Sequence, residues 1–371
     1  MHKIDDDKPS YNPDNERVKE KYFRMLKNAG QMGAKTIRII ANAIRRFEKS
    51  TGFRDFKKFK VEDAVAFKVH LDQAPGRRGG TLSVGAKVAM LTHLSTFFEW
   101  LSRERGYRKY IDTNDTAYFK PSLSDMRATK SPTVKDAPTL AEILIAVRAM
   151  PTTTEIERRN RAMVAMTILT GMRDAALISL RLRHVRLDKD LVLQDPKTGV
   201  KTKNSKAIFS FFYPVDPMFK EIVIEWVNEM ASHHGPDQPV FPRTKMKSDE
   251  VTTNYAVAGL DDQPWTNTGH ARKIFRAAFE SAGLRYYKPH LFRDTLTHLM
   301  LVTCKTFEEM KAWSQNLGHR SLETTLGIYA TIKPDRQGVL LKALSEPKVD
   351  PDTDRALETA IAALNELKKR K

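Results

Sequence analysis

Leu317-Gly318-His319-Arg320-Ser321-Leu322-Glu323-Thr324-Thr325-Leu326-Gly327-Ile328-Tyr329 is the stretch from which the rest of this chain can be read. It sets a histidine ten residues before a tyrosine, and Tyr329 is the only tyrosine after His290. Outward from it, His290-Leu291-Phe292-Arg293 places a histidine and an arginine three apart, on one face of a helix predicted to begin after Pro289. That spacing lets both side chains converge on one phosphate. Further back, Thr170-Gly171-Met172-Arg173 puts a guanidinium at the start of a predicted helix over 174–180. There it can fork two hydrogen bonds onto a phosphate's non-bridging oxygens, as a lysine cannot. Taken singly, a T-G-x-R or an H-x-x-R is usually structural. Two arginines, two histidines and a tyrosine together make a phosphodiester-cleaving set.

Bulk properties agree with a nucleic-acid substrate. The chain has 371 residues, 41% apolar and 29% charged, with a formal net charge of +18. Residues 1–130 hold 27 Lys and Arg against 16 Asp and Glu. A field of this sign attracts polyphosphate backbones and makes binding salt-dependent through counterion release. The length accommodates two or three domains. Cys304 is the only cysteine, which excludes an internal disulfide framework and a cysteine-based zinc cluster, and is the usage expected of a reducing cytoplasm. The first residues lack the apolar core of a signal peptide, and no apolar run approaches the roughly 18 residues of a membrane span.

Periodicity divides the chain. Residues 1–14 read as a polar arm and 15–105 as about four helices. Ile37, Ile40, Ala41, Ile44 and Phe47 form one apolar stripe, Val61 to Val69 a second, and Val84 to Leu101 a third. Candidate phosphate contacts lie off these stripes: Arg38, Arg45 and Arg46, Arg77 and Arg78 in the Gly76–Thr81 loop, and Lys87. The periodicity disappears over 106–138, which gains Pro121, Pro132 and Pro138 and reads as a semi-extended linker. Thr139-Leu140-Ala141-Glu142 is a capping box that opens a second domain over 139–346. A helix over 161–169 and three short strands, 184–187, 191–194 and 207–212, follow; helices then return over 219–230, 270–281, 290–302 and 307–315. An amphipathic helix is predicted within 347–371, with Leu357, Ile361, Leu364 and Leu367 on one stripe. The fold expected is mainly α with a small antiparallel β-sheet.

The stretch 317–329 matches the L-G-H-x-S-x-x-T-T-x-x-Y signature of the tyrosine recombinase/phage integrase family with one extra residue before the tyrosine, and with the two arginine boxes the chain resembles that family. The resemblance covers 139–340 by motif and the N-terminal helices by architecture only. It implies a helical core-binding domain and an integrase-type catalytic domain clamped around double-stranded DNA, a dimer at each site and a tetramer in synapsis. The activity implied is metal- and ATP-independent recombination or integration of DNA by a soluble, cytoplasmic, nucleoid-associated enzyme of the kind mobile elements carry, with no cofactor and no membrane partner. Tyr329 would be the nucleophile, leaving a 3′-phosphotyrosine. Arg173, His290, Arg293 and His319 would stabilise the phosphoryl charge, with His290 also the candidate base. A lysine between the second and third strands would protonate the departing 5′-oxygen. Lys203 is preferred for its place at the hairpin tip, and Lys197, in Pro196-Lys197-Thr198-Gly199, is its rival. Lys201 and Lys206 read as phosphate contacts or solvated charge. A metal site is poorly supported, because His290 and His298 lack a carboxylate pair at ligand spacing. The 347–371 helix would dock on a neighbouring protomer. Three positions depart from the common pattern: Ala176 where an acidic residue is usual, and Phe292 and Asp294 in the second box. Two further readings use the same residues differently, a type IB topoisomerase and a catalytically idle DNA-binding protein.

Overall fold

The first helix begins earlier than the composition predicts. Asn12 accepts hydrogen bonds from the Asp14 and Asn15 amides, and Pro13 supplies a preset φ at the first helical position. Both residues therefore start a helix rather than extend an arm. The computed structural model describes residues 11–76, 79–130, 136–248, 255–319, 337–339 and 341–342. The chain divides into two units, 1–131 and 132–371.

In the first unit α1 (Pro13–Asn28), α2 (Ala34–Ser50), α3 (Val61–Gln73) and α4 (Val84–Leu101) are the four helices expected from the stripes. Their core is aromatic. Phe47 makes edge-to-face contacts with Phe67, Phe98 and Phe119 at centroid distances of 5.4, 5.3 and 5.2 Å, the geometry the ring quadrupoles favour. Tyr107, Ile111 and Phe119 are buried in the same core, and α5 (Leu123–Lys130) packs on α4. The segment read as a linker from residue 106 thus belongs, through residue 130, to this unit. Its short 3-10 turn at Asn114–Phe119 lacks the 3.6-residue repeat by which a helix is recognised.

The second unit opens with the Thr139–Glu142 capping box on α6 (Leu140–Arg148). α7 (Glu155–Thr170) starts six residues before the predicted start at 161, because Thr154 and Glu157 cap it reciprocally. From Ala162 to Thr170 α7 is buried all round and lies against α9 (Pro217–His233). Such a helix is the centre of a core. Between them come α8 (Asp174–Leu177) and an antiparallel sheet of β1 (Val185–Arg186), β2 (Leu191–Gln194) and β3 (Ile208–Phe211). Gln194 pairs with Ile208 and Leu191 with Phe211. Val192, Gln194, Ile208 and Ser210 are buried, and Phe209 and Phe211 are exposed.

After α9 the sequence patterns predict only helices, but a second hairpin intervenes: β4 (Thr244–Ser248) and β5 (Tyr255–Leu260). Lys245, Met246 and Lys247 on β4 and Ala256, Val257 and Ala258 on β5 are all exposed. Among the described residues only the base of the hairpin, at Thr244 and Leu260, is half-buried, so the strands carry no alternation to recognise. α10 (Gly269–Ser281), α11 (Phe292–Thr303) and α12 (Phe307–Asn316) complete the described fold, which is mainly α with small antiparallel sheets. Among the described residues, no helix is long and apolar enough to cross a membrane.

Candidate catalytic site

α7 ends at Gly171, which takes the left-handed conformation, φ +60°, and donates its amide to the Thr167 carbonyl at 2.9 Å. A side chain is excluded here as well as strained: a Cβ would lie 2.6 Å from Leu317 Cδ2 and 2.9 Å from Leu296 Cδ1. The reversal buries Met172 and delivers Arg173, half-buried, as the residue capping α8. Asp174 does not join it. Its carboxylate pairs with Arg272 on α10 at 2.7 Å, and Ala176, where the family commonly has an acid, is buried in the core.

Arg293 sits in the first turn of α11 at 1% exposure. Its Nη1 donates to the Gly171 carbonyl. Its Nη2 lies 2.7 Å from the Leu317 carbonyl and 2.7 Å from His319 Nε2. One guanidinium therefore ties together the three sequence motifs. His319 is itself buried, reached through Gly318 at φ +71°. A Cβ on Gly318 would meet Ile208 Cδ1 at 2.5 Å, so the turn lies directly against β3. The side chain of Asn316 completes this seam. Its Nδ2 donates to the Phe211 carbonyl at 2.9 Å and its Oδ1 accepts from the Phe211 amide at 2.7 Å. It thus imitates one residue of a neighbouring strand.

The electrostatics follow from this crowding. Burial first, and then the charges of Arg293, Arg173, His290 and Lys206, push His319 down to about 3. At neutral pH it is an uncharged imidazole. A guanidinium has only donors, so Nε2 must accept from Arg293 and the ring proton is assigned to Nδ1. His290 lies exposed in the 3-10 turn Pro289–Leu291 that leads into α11. The structure thus brings Arg173, His290, Arg293 and His319 into one neighbourhood. Tyr329 and the 347–371 helix lie outside the described residues. Tyr213, the tyrosine buried beside this cluster, donates to the Trp313 carbonyl at 3.0 Å, and burial raises its pKa strongly. It serves the core.

The β2–β3 connection is longer and more folded than a hairpin tip. Lys197 lies in a 3-10 turn at Pro196–Thr198, and Lys203 in another at Lys203–Ser205, where Asn204 and Ser205 both have positive φ. The lysine whose charge reaches His319 is Lys206, which the sequence pattern did not single out. Among the described residues no group of three or more histidine, cysteine, aspartate or glutamate side chains is placed to hold a metal.

In the first unit Arg45 and Arg46 line one concavity with Asn42, Lys49, Ser50 and His70, and Arg38 is exposed on the same helix. Lys87 is different: it is bound to Asp72 at 2.7 Å, which raises its pKa. Its charge thus has a carboxylate beside it in this structure. Arg77 and Arg78 lie outside the described residues.

Comparison with known proteins agrees with this architecture. Tyrosine recombinase XerC of Lactobacillus delbrueckii subsp. bulgaricus is 22% identical over 316 residues, covering 83% of this chain and 92% of that protein. A lambda integrase(75-356) dimer bound to a COC' core site superposes with a TM-score of 0.55 at 15% identity, over 82% of this chain and 92% of that one. XerH recombinase bound to its difH substrate does so at 0.53 and 17% identity, over 89% of this chain and 84% of that one. The Tn1549 transposon integrase in complex with a circular intermediate DNA gives 0.55 and 15%, over 88% and 99%. These likenesses establish the fold. Residues 140–336, more than half of the chain, match the phage integrase family, and the chain belongs to that family of tyrosine recombinases.

Proposed function

We propose that this protein carries out site-specific recombination of double-stranded DNA by metal- and ATP-independent strand cleavage and rejoining. The family supports site-specific recombination. The observation that carries the finer reading is the Arg293 hub, which draws Gly171, Leu317 and His319 to one point with Arg173 and His290 beside it. Arginine and histidine side chains converge there, which suits a phosphodiester passing through a more negative transition state.

In this reading the Tyr329 oxygen attacks the scissile phosphorus, forming the Tyr–O–P bond as the P–O5′ bond breaks. The tyrosine proton passes to a base, for which His290 is the candidate. A lysine of the 195–207 connection gives its proton to the departing 5′-oxygen. Arg173 and Arg293 balance the charge on the non-bridging oxygens, and the Nδ1–H of His319 donates beside them. Rejoining reverses each transfer, and the phosphotyrosine ester conserves the bond energy. DNA-bound relatives, one of them a dimer on its core site, support a DNA partner and a dimer at each site, to which the proposal adds a tetramer in synapsis. Residues 347–371 would dock on a neighbouring protomer. Deleting 350–371 should then weaken assembly on DNA while single-site cleavage persists, and unchanged assembly would remove that role.

A covalent trap tests the central claim. Wild type and Tyr329→Phe are incubated in EDTA with nicked duplexes from DNA flanking the gene. An SDS-resistant adduct in wild type alone is expected. An adduct in both moves the nucleophile elsewhere, and tight binding without an adduct indicates an idle DNA-binding protein.

A further inference from the structure

We propose that His184 and Thr198 form a clamp that positions Lys197 as the proton donor to the leaving 5′-oxygen, an inference that rests on the strand-cleavage reading above. His184 is buried, at 2% exposure, in the turn before β1. Its seat is rigid: the Leu182 amide donates to the Gln238 carbonyl at 3.0 Å and the Arg183 amide to the Pro236 carbonyl at 2.8 Å.

The ring's hydrogen bonds leave one consistent arrangement. Nδ1 lies 2.9 Å from the Arg181 amide, which can only donate, so Nδ1 accepts. Nε2 must then carry the proton and donate to Thr198 Oγ1 at 3.0 Å. The threonine hydroxyl in turn donates to the Asp195 carbonyl at 2.9 Å. Arg183 Nη2 adds a bond to the Thr198 carbonyl at 3.2 Å. The neutral imidazole this chain requires is favoured, because burial and then the neighbouring Arg183 and Arg181 lower the His184 pKa.

Lys197 lies inside the segment so held. Its amide donates to Asp195 Oδ1 at 2.9 Å. Downstream, Val200 is buried in the core and the Lys201 amide donates to Ser179 Oγ at 2.8 Å. The segment is also tied to the catalytic cluster, since Gln194 just before it pairs with Ile208, the residue against which Gly318 is packed. Lys203 has no comparable support: its turn depends on two non-glycine residues at positive φ, Asn204 and Ser205. A general acid must be held within reach of the oxygen it protonates, and Lys197 sits on a backbone held on both sides, by Asp195 before it and Thr198 after it; Lys206, whose charge reaches His319, is the rival the experiment must separate from it.

The clamp's role is separable from general stability by changing the leaving group. A duplex whose scissile 5′-oxygen is replaced by sulfur expels a thiolate, which needs no proton. Thr198→Val removes the hydroxyl and keeps the shape. Adduct formation by this variant is expected to fall by about ten- to a hundredfold on the oxygen substrate and to match wild type on the sulfur substrate, with Lys197→Ala behaving likewise and more severely. Thr198→Ser restores the oxygen rate. Equal losses on both substrates, or sulfur rescue confined to Lys203→Ala or Lys206→Ala, would overturn the proposal. Wild type inert on both substrates would instead overturn the strand-cleavage reading itself.

Discussion

His319 shows how far surroundings decide a residue's chemistry. An imidazole in water titrates near 6.5, whereas here burial and then the neighbouring basic groups, Arg293 first, hold it at about 3. Between those values the unfolded chain binds a proton that the folded chain does not. The stability contributed by this site is therefore complete above pH 6.5 and is lost as the pH falls toward 3. His319→Gln retains an acceptor for Arg293 and does not titrate, so it should flatten the acid limb of a plot of Tm against pH; a limb as steep as wild type would count against this account. Gly171→Ala makes a second test, by denaturant titration. Forcing an alanine into left-handed backbone costs about 1–2 kcal/mol, and the shift should disturb the carbonyl that aims Arg293. That Arg173, His290, Arg293 and His319 belong to one neighbourhood was legible because few residue types serve phosphate chemistry. What orients them was not. Arg293 is held by carbonyls 122 and 24 residues away in the chain, and backbone acceptors leave no mark in a sequence.

Elements were legible where one face repeats and hidden where it does not. α2 and α4 announce themselves by their stripes, and the Thr139–Glu142 box gives the start of α6 to the residue. The β4–β5 hairpin, exposed on both strands, left no periodic signal, and the aromatic residues of 106–119 were masked by the prolines and polar residues around them. The same limit applies to polar cores. Glu48, fully buried on α2, is bound by Lys19 at 2.6 Å and Asn15 at 3.1 Å from α1. Asn15 also accepts from the Phe56 amide at 3.0 Å and donates to the Arg54 carbonyl at 3.0 Å, joining both helices to the connection before α3. Lys19→Met leaves a buried carboxylate without its cation and should cost about 3–5 kcal/mol. The double variant Lys19→Met with Glu48→Leu should recover most of it, because the expense lies in the orphaned charge rather than in losing the pair. A double variant as unstable as Lys19→Met alone would assign the loss to packing instead.

At the scale of the whole molecule the question is which of 63 basic side chains meet DNA. Composition announces a nucleic-acid partner and cannot answer it, because a lysine next to a carboxylate and one facing solvent look alike in a sequence. Lys87 and the α2 arginines make the distinction measurable. Lys87 is matched by Asp72. Arg45, Arg46 and Lys49 share a concavity with His70, and among the described residues none of the four lies within ion-pair distance of a carboxylate. Each phosphate contact contributes about 0.9 to the slope of log Kobs against log salt concentration, through the counterion it releases. Arg45→Ala with Arg46→Ala should therefore weaken binding to all duplexes alike and make the slope shallower by about 2. Lys87→Ala should leave the slope unchanged and alter stability little, because an ion pair open to solvent contributes little. If Lys87→Ala moves the slope and the arginine variant does not, the pair with Asp72 opens on DNA and the α2 concavity is not the phosphate seat. The salt slope then reports which cations the fold has already neutralised, a property that net charge conceals.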